Sequence, residues 1–208
     1  MCIRDSSISL STIQVLTSDD KKISVRIKGV SLHYANALRR ICLNGIPVFA
    51  IDTVDIIENS SVLPDEGIAH TLGLIPLKTE LKGSDESSRV MLVLDSEATE
   101  NTKVITSAEL ESKDQVVKPI SNQIPIIHLA PGQRIKLEAY ARLGRGTEHS
   151  KWNSANVSVL TNTDKTDEYV LTVETAGSLE PRQIIIAGIE ELSKRLEEFK
   201  ESLVDLKE

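Results

Sequence analysis

The residues able to hold a metal or relay protons are Cys2, Cys42, His33, His70, His128 and His149. A structural zinc site needs four ligands at short spacings, and an iron–sulfur cluster needs closely grouped thiolates. Neither cysteine belongs to a CxxC pair, so no metal, cluster or other cofactor is expected. No disulfide framework is expected either, which suits a reducing cytoplasm. Glu148 and His149 invite an acid–base reading, but adjacent residues on extended chain point apart. His70, within Ala69-His70-Thr71-Leu72-Gly73, reads as a structural hydrogen-bonder. Gly144-Arg145-Gly146 lacks the Lys-Ser/Thr ending of a phosphate loop and the spacing of a dinucleotide loop. No catalytic residue is assigned.

Charge narrows the field further. The net charge is −7, whereas a surface that grips nucleic acid needs clustered cations to displace counterions. The basic stretch Arg134–Lys151, with Tyr140 and Trp152, keeps a nucleic-acid-binding module open as an alternative, but stacking platforms use several aromatics on one face. Aromatic residues are 3% of the chain and hydrophobic residues 40%, so the core must be aliphatic. No apolar run approaches the roughly 18 residues of a membrane span, so no membrane partner is expected. Residues 1–6 do not continue the pattern that follows and read as a non-native leader.

The elements that would position these residues follow from periodicity. Residues 7–29 read as a hairpin: Ile23, Val25 and Ile27 alternate with polar residues after a turn at Ser18-Asp19-Asp20. Ser31 can cap a helix to about Asn44 that carries Tyr34, Ala35, Leu38, Ile41 and Cys42 on one face, and Gly45 and Pro47 end it. Residues 48–57 read as a strand. Asp65 can cap a short helix stopped by Gly73 and Pro76. Polar turns are expected at 82–88, 96–102 and 111–115, with short strands at 90–94, 104–105, 124–129 and 135–143. Residues 161–168 read as a linker, residues 169–173 as a strand, and Pro181 opens a final helix.

That final helix is the most informative element. Ile185, Ile189, Leu192, Leu196, Phe199, Leu203 and Leu206 recur in steps of four and three, a narrow seam held over about three heptads. A helix that only covers its own sheet carries a broader apolar face. Here the first turns are broad, with Ile184, Ile186 and Ala187, and the second half is seam-like. The first half is therefore expected to pack on the chain's own sheet and the second half to reach another polypeptide. The seam alone also permits a homodimeric helical protein.

Four blocks in order carry a resemblance. They are HYANALRRICLNGIPVFAIDTV (His33–Val54), LPDEGIAHTLGLIPL (Leu63–Leu77), AYARLGRGTEHSKW (Ala139–Trp152) and YVLTVETAGSLEPRQII (Tyr169–Ile185). Together the chain from Ser7 onward resembles the RNA polymerase family that unites the archaeal D-type chain, the bacterial alpha N-terminal domain and the third-largest subunit of eukaryotic polymerase II. The resemblance implies an α+β fold: a discontinuous dimerisation domain over 7–50 and 163–208, an antiparallel sheet with two packed helices, and an inserted β-rich domain over 51–162. It implies a non-catalytic assembly platform for transcription. Such a chain pairs with a small alpha-like subunit, subunit L in archaea, docks the large catalytic subunits, and meets DNA only through the complex.

By the same resemblance, Tyr34, Leu38, Ile41 and the seam residues Ile189, Leu192, Leu196, Phe199, Leu203 and Leu206 would meet the dimer partner. Arg39 and Arg40 of the ALRR motif, with Arg142, Arg145 and Lys151, would face the large subunits, where a guanidinium can bind carboxylates bidentately. Many archaeal members carry cluster-binding cysteines after the block ending in Lys151-Trp152, and eukaryotic members often carry zinc cysteines there. Here Tyr169 follows closely with no cysteine between, which resembles cluster-free members. Bacterial alpha continues into a DNA-binding domain, whereas this chain ends at Glu208, so the archaeal type is expected.

Overall fold

The computed structural model describes residues 11–81 and 88–202. In chain order the elements are strands β1 (Thr12–Ser18) and β2 (Lys22–Lys28), helix α1 (Leu32–Asn44), strand β3 (Val48–Asn59), helix α2 (Asp65–Gly73), strands β4 (Arg89–Ala98), β5 (Lys103–Thr106), β6 (Glu111–Ser112), β7 (Pro125–Leu129), β8 (Gln133–Gly144), β9 (Ala155–Asn162) and β10 (Glu168–Thr175), and helix α3 (Pro181–Ser202). The fold is α+β with antiparallel pairing throughout the sheets. Two compact units divide the chain: Met1–Leu43, Ala155–Thr175 and Glu180–Glu208 in the first, Asn44–Ser154 and Ala176–Leu179 in the second. The expected leader over 1–6 lies outside the described residues.

The first unit is a four-stranded sheet in the order β1-β2-β10-β9. Asp19 shapes its hairpin turn: the carboxylate accepts the backbone N–H groups of Lys21 and Lys22 at 2.8 and 2.7 Å, a local bond that Asp makes readily. In β2 the period-2 pattern comes true: Ile23, Val25 and Ile27 are buried and lie opposite Val173, Leu171 and Tyr169 of β10. The helices add Ala35, Leu38, Ile41 and Cys42 from α1, and Pro181, Ile184, Ile185, Ala187 and Gly188 from α3.

Strand β9 departs from the sequence reading, which puts 155–162 in the inserted domain and begins a linker at 161. Ala155–Asn162 instead pairs with β10, with Leu160 opposite Leu171 and Val159 opposite Thr172. The physical reason is an inverted pattern. Val157 and Val159 face outward and are exposed, while Ser158 is buried and its hydroxyl donates to the Arg39 carbonyl at 2.8 Å. A strand that buries serine and exposes valine escapes a search for buried apolar alternation.

The second unit is a sheet in the order β3-β8-β4-β6 and a two-stranded β5-β7 ribbon. Its core is aliphatic: Ile51, Ile68, Leu72, Leu92, Leu94, Ile105, Leu129, Ile135 and Leu137 are buried together. Strand β4 runs on to Ala98, and Glu111–Ser112 forms β6, where composition suggests turns. Polar residues serve there because partners satisfy them. Asp95 pairs with Arg134 at 2.9 Å and Lys136 at 3.4 Å. Buried Ser96 donates to Glu109 at 2.6 Å and meets the Lys103 ammonium at 2.7 Å.

Asp65 does not cap α2. Pro64 occupies the cap position, and Asp65 is already in the first turn. Its carboxylate accepts the Asn59 amide at 2.7 Å, and its charge there favours the positive end of the helix dipole.

Candidate functional site

The sequence pattern divides α3, and burial divides it at the same place. Ile184, Ile185 and Ala187 are buried in the first unit. Beyond Gly188 the apolar side chains come out: Ile189 is 40% exposed, Leu196 46% and Phe199 64%, and Leu192 is half-buried. Leu203 and Leu206 of the expected seam lie outside the described residues. Ile189, Leu192, Leu196 and Phe199 keep the three-and-four spacing, so they form one stripe along the helix.

Helices α1 and α3 meet at Gly188. A Cβ there would stand 2.9 Å from the Cys42 Sγ and 3.3 Å from a Leu38 methyl carbon. The Cys42 thiol is directed at the Ile184 carbonyl, 3.9 Å away. Burial pushes that thiol up to about 12. Cys42 is thus a packing residue.

On α1, Tyr34 is 54% exposed and stands in the surface with the expected role open to it. Leu38 and Ile41, expected beside it, are buried in this chain at 6% and 7% exposure. A helical face shared by five apolar residues cannot be divided by periodicity into an inner and an outer half. Other apolar side chains outside the expected seam are exposed instead: Leu32 on α1, Ile186 on α3, and the pair Ile13 and Val15 on β1. Ile13 and Val15 lie opposite Ile27 and Val25, so they extend that face of the sheet at its edge.

The cations expected to dock a large partner have separate fates. Arg142, Arg145 and Lys151 do come together in the second unit, but on internal partners. Arg142 bonds Asp52 at 2.8 Å and Glu148 at 3.1 Å. Lys151 bonds Asp52 and the Ile51 carbonyl, each at 3.0 Å. Arg145 donates to the Gly45 carbonyl. The Arg142 guanidinium and the Lys151 ammonium lie 4.3 and 4.2 Å from the centre of the Trp152 ring, which is 3% exposed. Burial alone would lift the Asp52 carboxyl, but the Arg142 and Lys151 hydrogen bonds outweigh it and hold the group below the usual carboxylate range. The cluster fastens β8 and the Ser150–Trp152 turn to β3. In the first unit Arg39 bonds Asn36 at 2.9 Å and the Ser158 carbonyl at 3.4 Å. Arg40 is exposed with no ion pair among the described residues.

The remaining chemical candidates disperse. Glu148 accepts from the Arg145 N–H and from Arg142, and both bonds lower its carboxyl. His149 accepts from the Lys151 N–H through Nδ1, so the two do not form an acid–base pair. His70 is exposed and makes no side-chain hydrogen bond among the described residues, contrary to the structural role expected of it. Trp152 is buried and the Tyr140 hydroxyl donates to Glu138 at 2.8 Å; the two aromatics make no exposed stacking platform. Among the described residues no group of three or more His, Cys, Asp or Glu is placed to hold a metal ion, and no helix is long and apolar enough to cross a membrane.

Comparison with known proteins points the same way as the exposed helices. The family model described as the RNA polymerase Rpb3/Rpb11 dimerisation domain matches residues 24–196. DNA-directed RNA polymerase subunit Rpo3 of Pyrococcus horikoshii is 44% identical over 144 residues, covering 67% of this chain and 55% of the relative. Rpo3 of Aeropyrum pernix is 37% identical over 166 residues, covering 72% and 58%. Rpo3 of Methanosphaera stadtmanae is 37% identical over 155 residues, covering 68% and 57%. The chain thus matches a little over half the length of these relatives.

Proposed function

The chain belongs to the RNA polymerase Rpb3/Rpb11 dimerisation domain family, and from this we propose that it is a non-catalytic assembly subunit of an archaeal DNA-directed RNA polymerase. It pairs through α1 and α3 with a small alpha-like subunit of the subunit L type, and the pair then receives the large catalytic subunits in the cytoplasm. Nucleotidyl transfer belongs to the complex, and contact with DNA is indirect. The observation that carries this reading is the exposed stripe Ile189–Leu196–Phe199 on a helix whose first half is buried. Apolar ridges of that kind, standing in solvent, mark a protein interface. Burying them stabilises the complex by about 25 cal/mol for each Å² of apolar surface removed from water, less the cost of association.

For the large subunits, the proposed docking residues remain Arg39, Arg40, Arg142, Arg145 and Lys151, in different capacities. Arg40 offers an exposed cation, while the Arg142–Lys151 cluster supports the shape of the surface by holding β3 to β8. The chain is further proposed to need no iron–sulfur cluster or zinc; stoichiometric metal in the purified protein overturns that part.

The test is co-expression with a small alpha-like subunit, followed by solution mass. A 1:1 heterodimer is the expected result, and a chain that stays monomeric in its presence overturns the reading. The same stripe also suits a homodimer, and a mass of two identical chains would establish that alternative.

A further inference from the structure

The charges along α3 are sorted. With Ile189, Leu192, Leu196 and Phe199 as the inner positions of the heptad, Glu190, Glu197 and Glu201 fall on the opposite side of the helix. The residues that border the stripe are Ser193 and Lys200 along one edge, and Arg195 and Ser202 along the other. Every one is exposed. No heptad edge position carries a carboxylate over this stretch, although the chain as a whole carries a charge of −7 and the largely buried Glu191 reaches across to the Arg195 edge. Lys194 and Glu198, 3.8 Å apart, pair with each other on the outer side. Arg195 bonds Glu191 at 2.8 Å, and Lys200 has no ion pair among the described residues. Helix α1 follows the same rule, since its sequence LHYANALRRICLN contains no acidic residue.

This arrangement disfavours parallel self-pairing and gives an antiparallel pair no edge carboxylate to reward it. In a parallel pair of identical helices, Arg195 of one copy faces Lys200 of the other. In an antiparallel pair centred between Leu196 and Phe199, Arg195 of one copy faces Ser202 of the other and Lys200 faces Ser193, so neither cation meets a carboxylate. The parallel homodimer thus places like charges together, a repulsive element that separates a correct partner from a wrong one, and the antiparallel one offers the cations only serine. A partner helix with Asp or Glu bordering its own apolar stripe meets these cations favourably.

We propose that Arg195 and Lys200 are specificity residues of the α3 interface, selecting a partner helix with a carboxylate-bordered apolar stripe and discouraging a second copy of this chain. The proposal rests on the heterodimer reading above and deepens it.

The test uses the full chain with the co-expressed small alpha-like subunit as probe. Dissociation constants are measured across a salt series for the wild type, for Lys200→Glu and for Arg195→Gln/Lys200→Glu, with a thermal melt of each chain alone as a folding control. Bordering charges act through encounter and screening. Binding of the wild type should therefore weaken as salt rises, and the double variant should bind at least about tenfold more weakly at low salt. The gap should narrow near 1 M salt, where the screening length is about 3 Å, while the melting curves stay unchanged. A heterodimer that forms equally well with the double variant at every salt concentration overturns the charge proposal and leaves the heterodimer reading standing. Failure of the wild type to bind at any salt concentration overturns that reading and the proposal with it.

Discussion

Gly188 of α3 lies so close to Cys42 of α1 that a Cβ on the glycine would stand 2.9 Å from the cysteine sulfur. Inside a helix, glycine costs about 1 kcal/mol relative to alanine, and close helix approach is what that cost secures here. Gly188→Val should force the two helices apart and destabilise the protein by about 1–3 kcal/mol. Denaturant midpoints of wild type and variant measure it. An unchanged midpoint would mean that the crossing has slack that the 3.3 Å approach of Leu38 does not suggest.

The exposed stripe makes the opposite prediction for stability. Leu196 and Phe199 cover little of their own chain, so Leu196→Ser/Phe199→Ser should leave the isolated protein within about 0.5 kcal/mol of wild type. The same pair of changes should abolish capture of the small subunit. A variant that unfolds would show instead that the stripe is part of this chain's own core.

Trp152 is closely packed. Arg142 and Lys151 lie over its ring, and a Cβ on Gly144 would reach to 2.5 Å from it. Trp152→Ala should cost about 3–5 kcal/mol. Gly144→Ala, which pushes the ring out of place, should cost about 1–3 kcal/mol. Circular-dichroism melts read both effects, and tryptophan fluorescence follows the second, because Trp152 is the sole tryptophan of the chain. Similar stabilities for Gly144→Ala and wild type would remove the packing role assigned to the glycine.

The Asp52 carboxyl is lowered from its ordinary value of 3.8, with the hydrogen bonds from Arg142 and Lys151 outweighing burial. A carboxyl with a lowered pKa in the folded protein contributes stability above its unfolded value and loses it as pH falls through the folded value. Asp52→Asn should therefore cost about 1 kcal/mol at neutral pH, and the difference from wild type should shrink below about pH 4. Paired melts at pH 7 and pH 3 test the sign; a gap that grows on acidification contradicts it.

Pieces whose pattern is local can be read directly from the order of residues. The β2 alternation is recorded in Ile23, Val25 and Ile27, the end of α1 in Gly45 and Pro47, and the change of character along α3 in the narrowing of its apolar face after Ile189. Those signals depend on neighbours a few residues away, and the backbone periods of strand and helix make them legible. What each apolar face touches was settled only on folding. Leu38 and Ile41 share a face with Tyr34, yet the first two go inside and the third stays in solvent. The bonds of Arg142 and Lys151 to Asp52, distant in sequence, and their seat on the buried Trp152 ring appear only in the fold. Strand β9 hides its serine and shows its valines, because Ser158 reaches the Arg39 carbonyl across the fold. Periodicity fixes which side chains point together, but their burial depends on chain segments brought near only by folding.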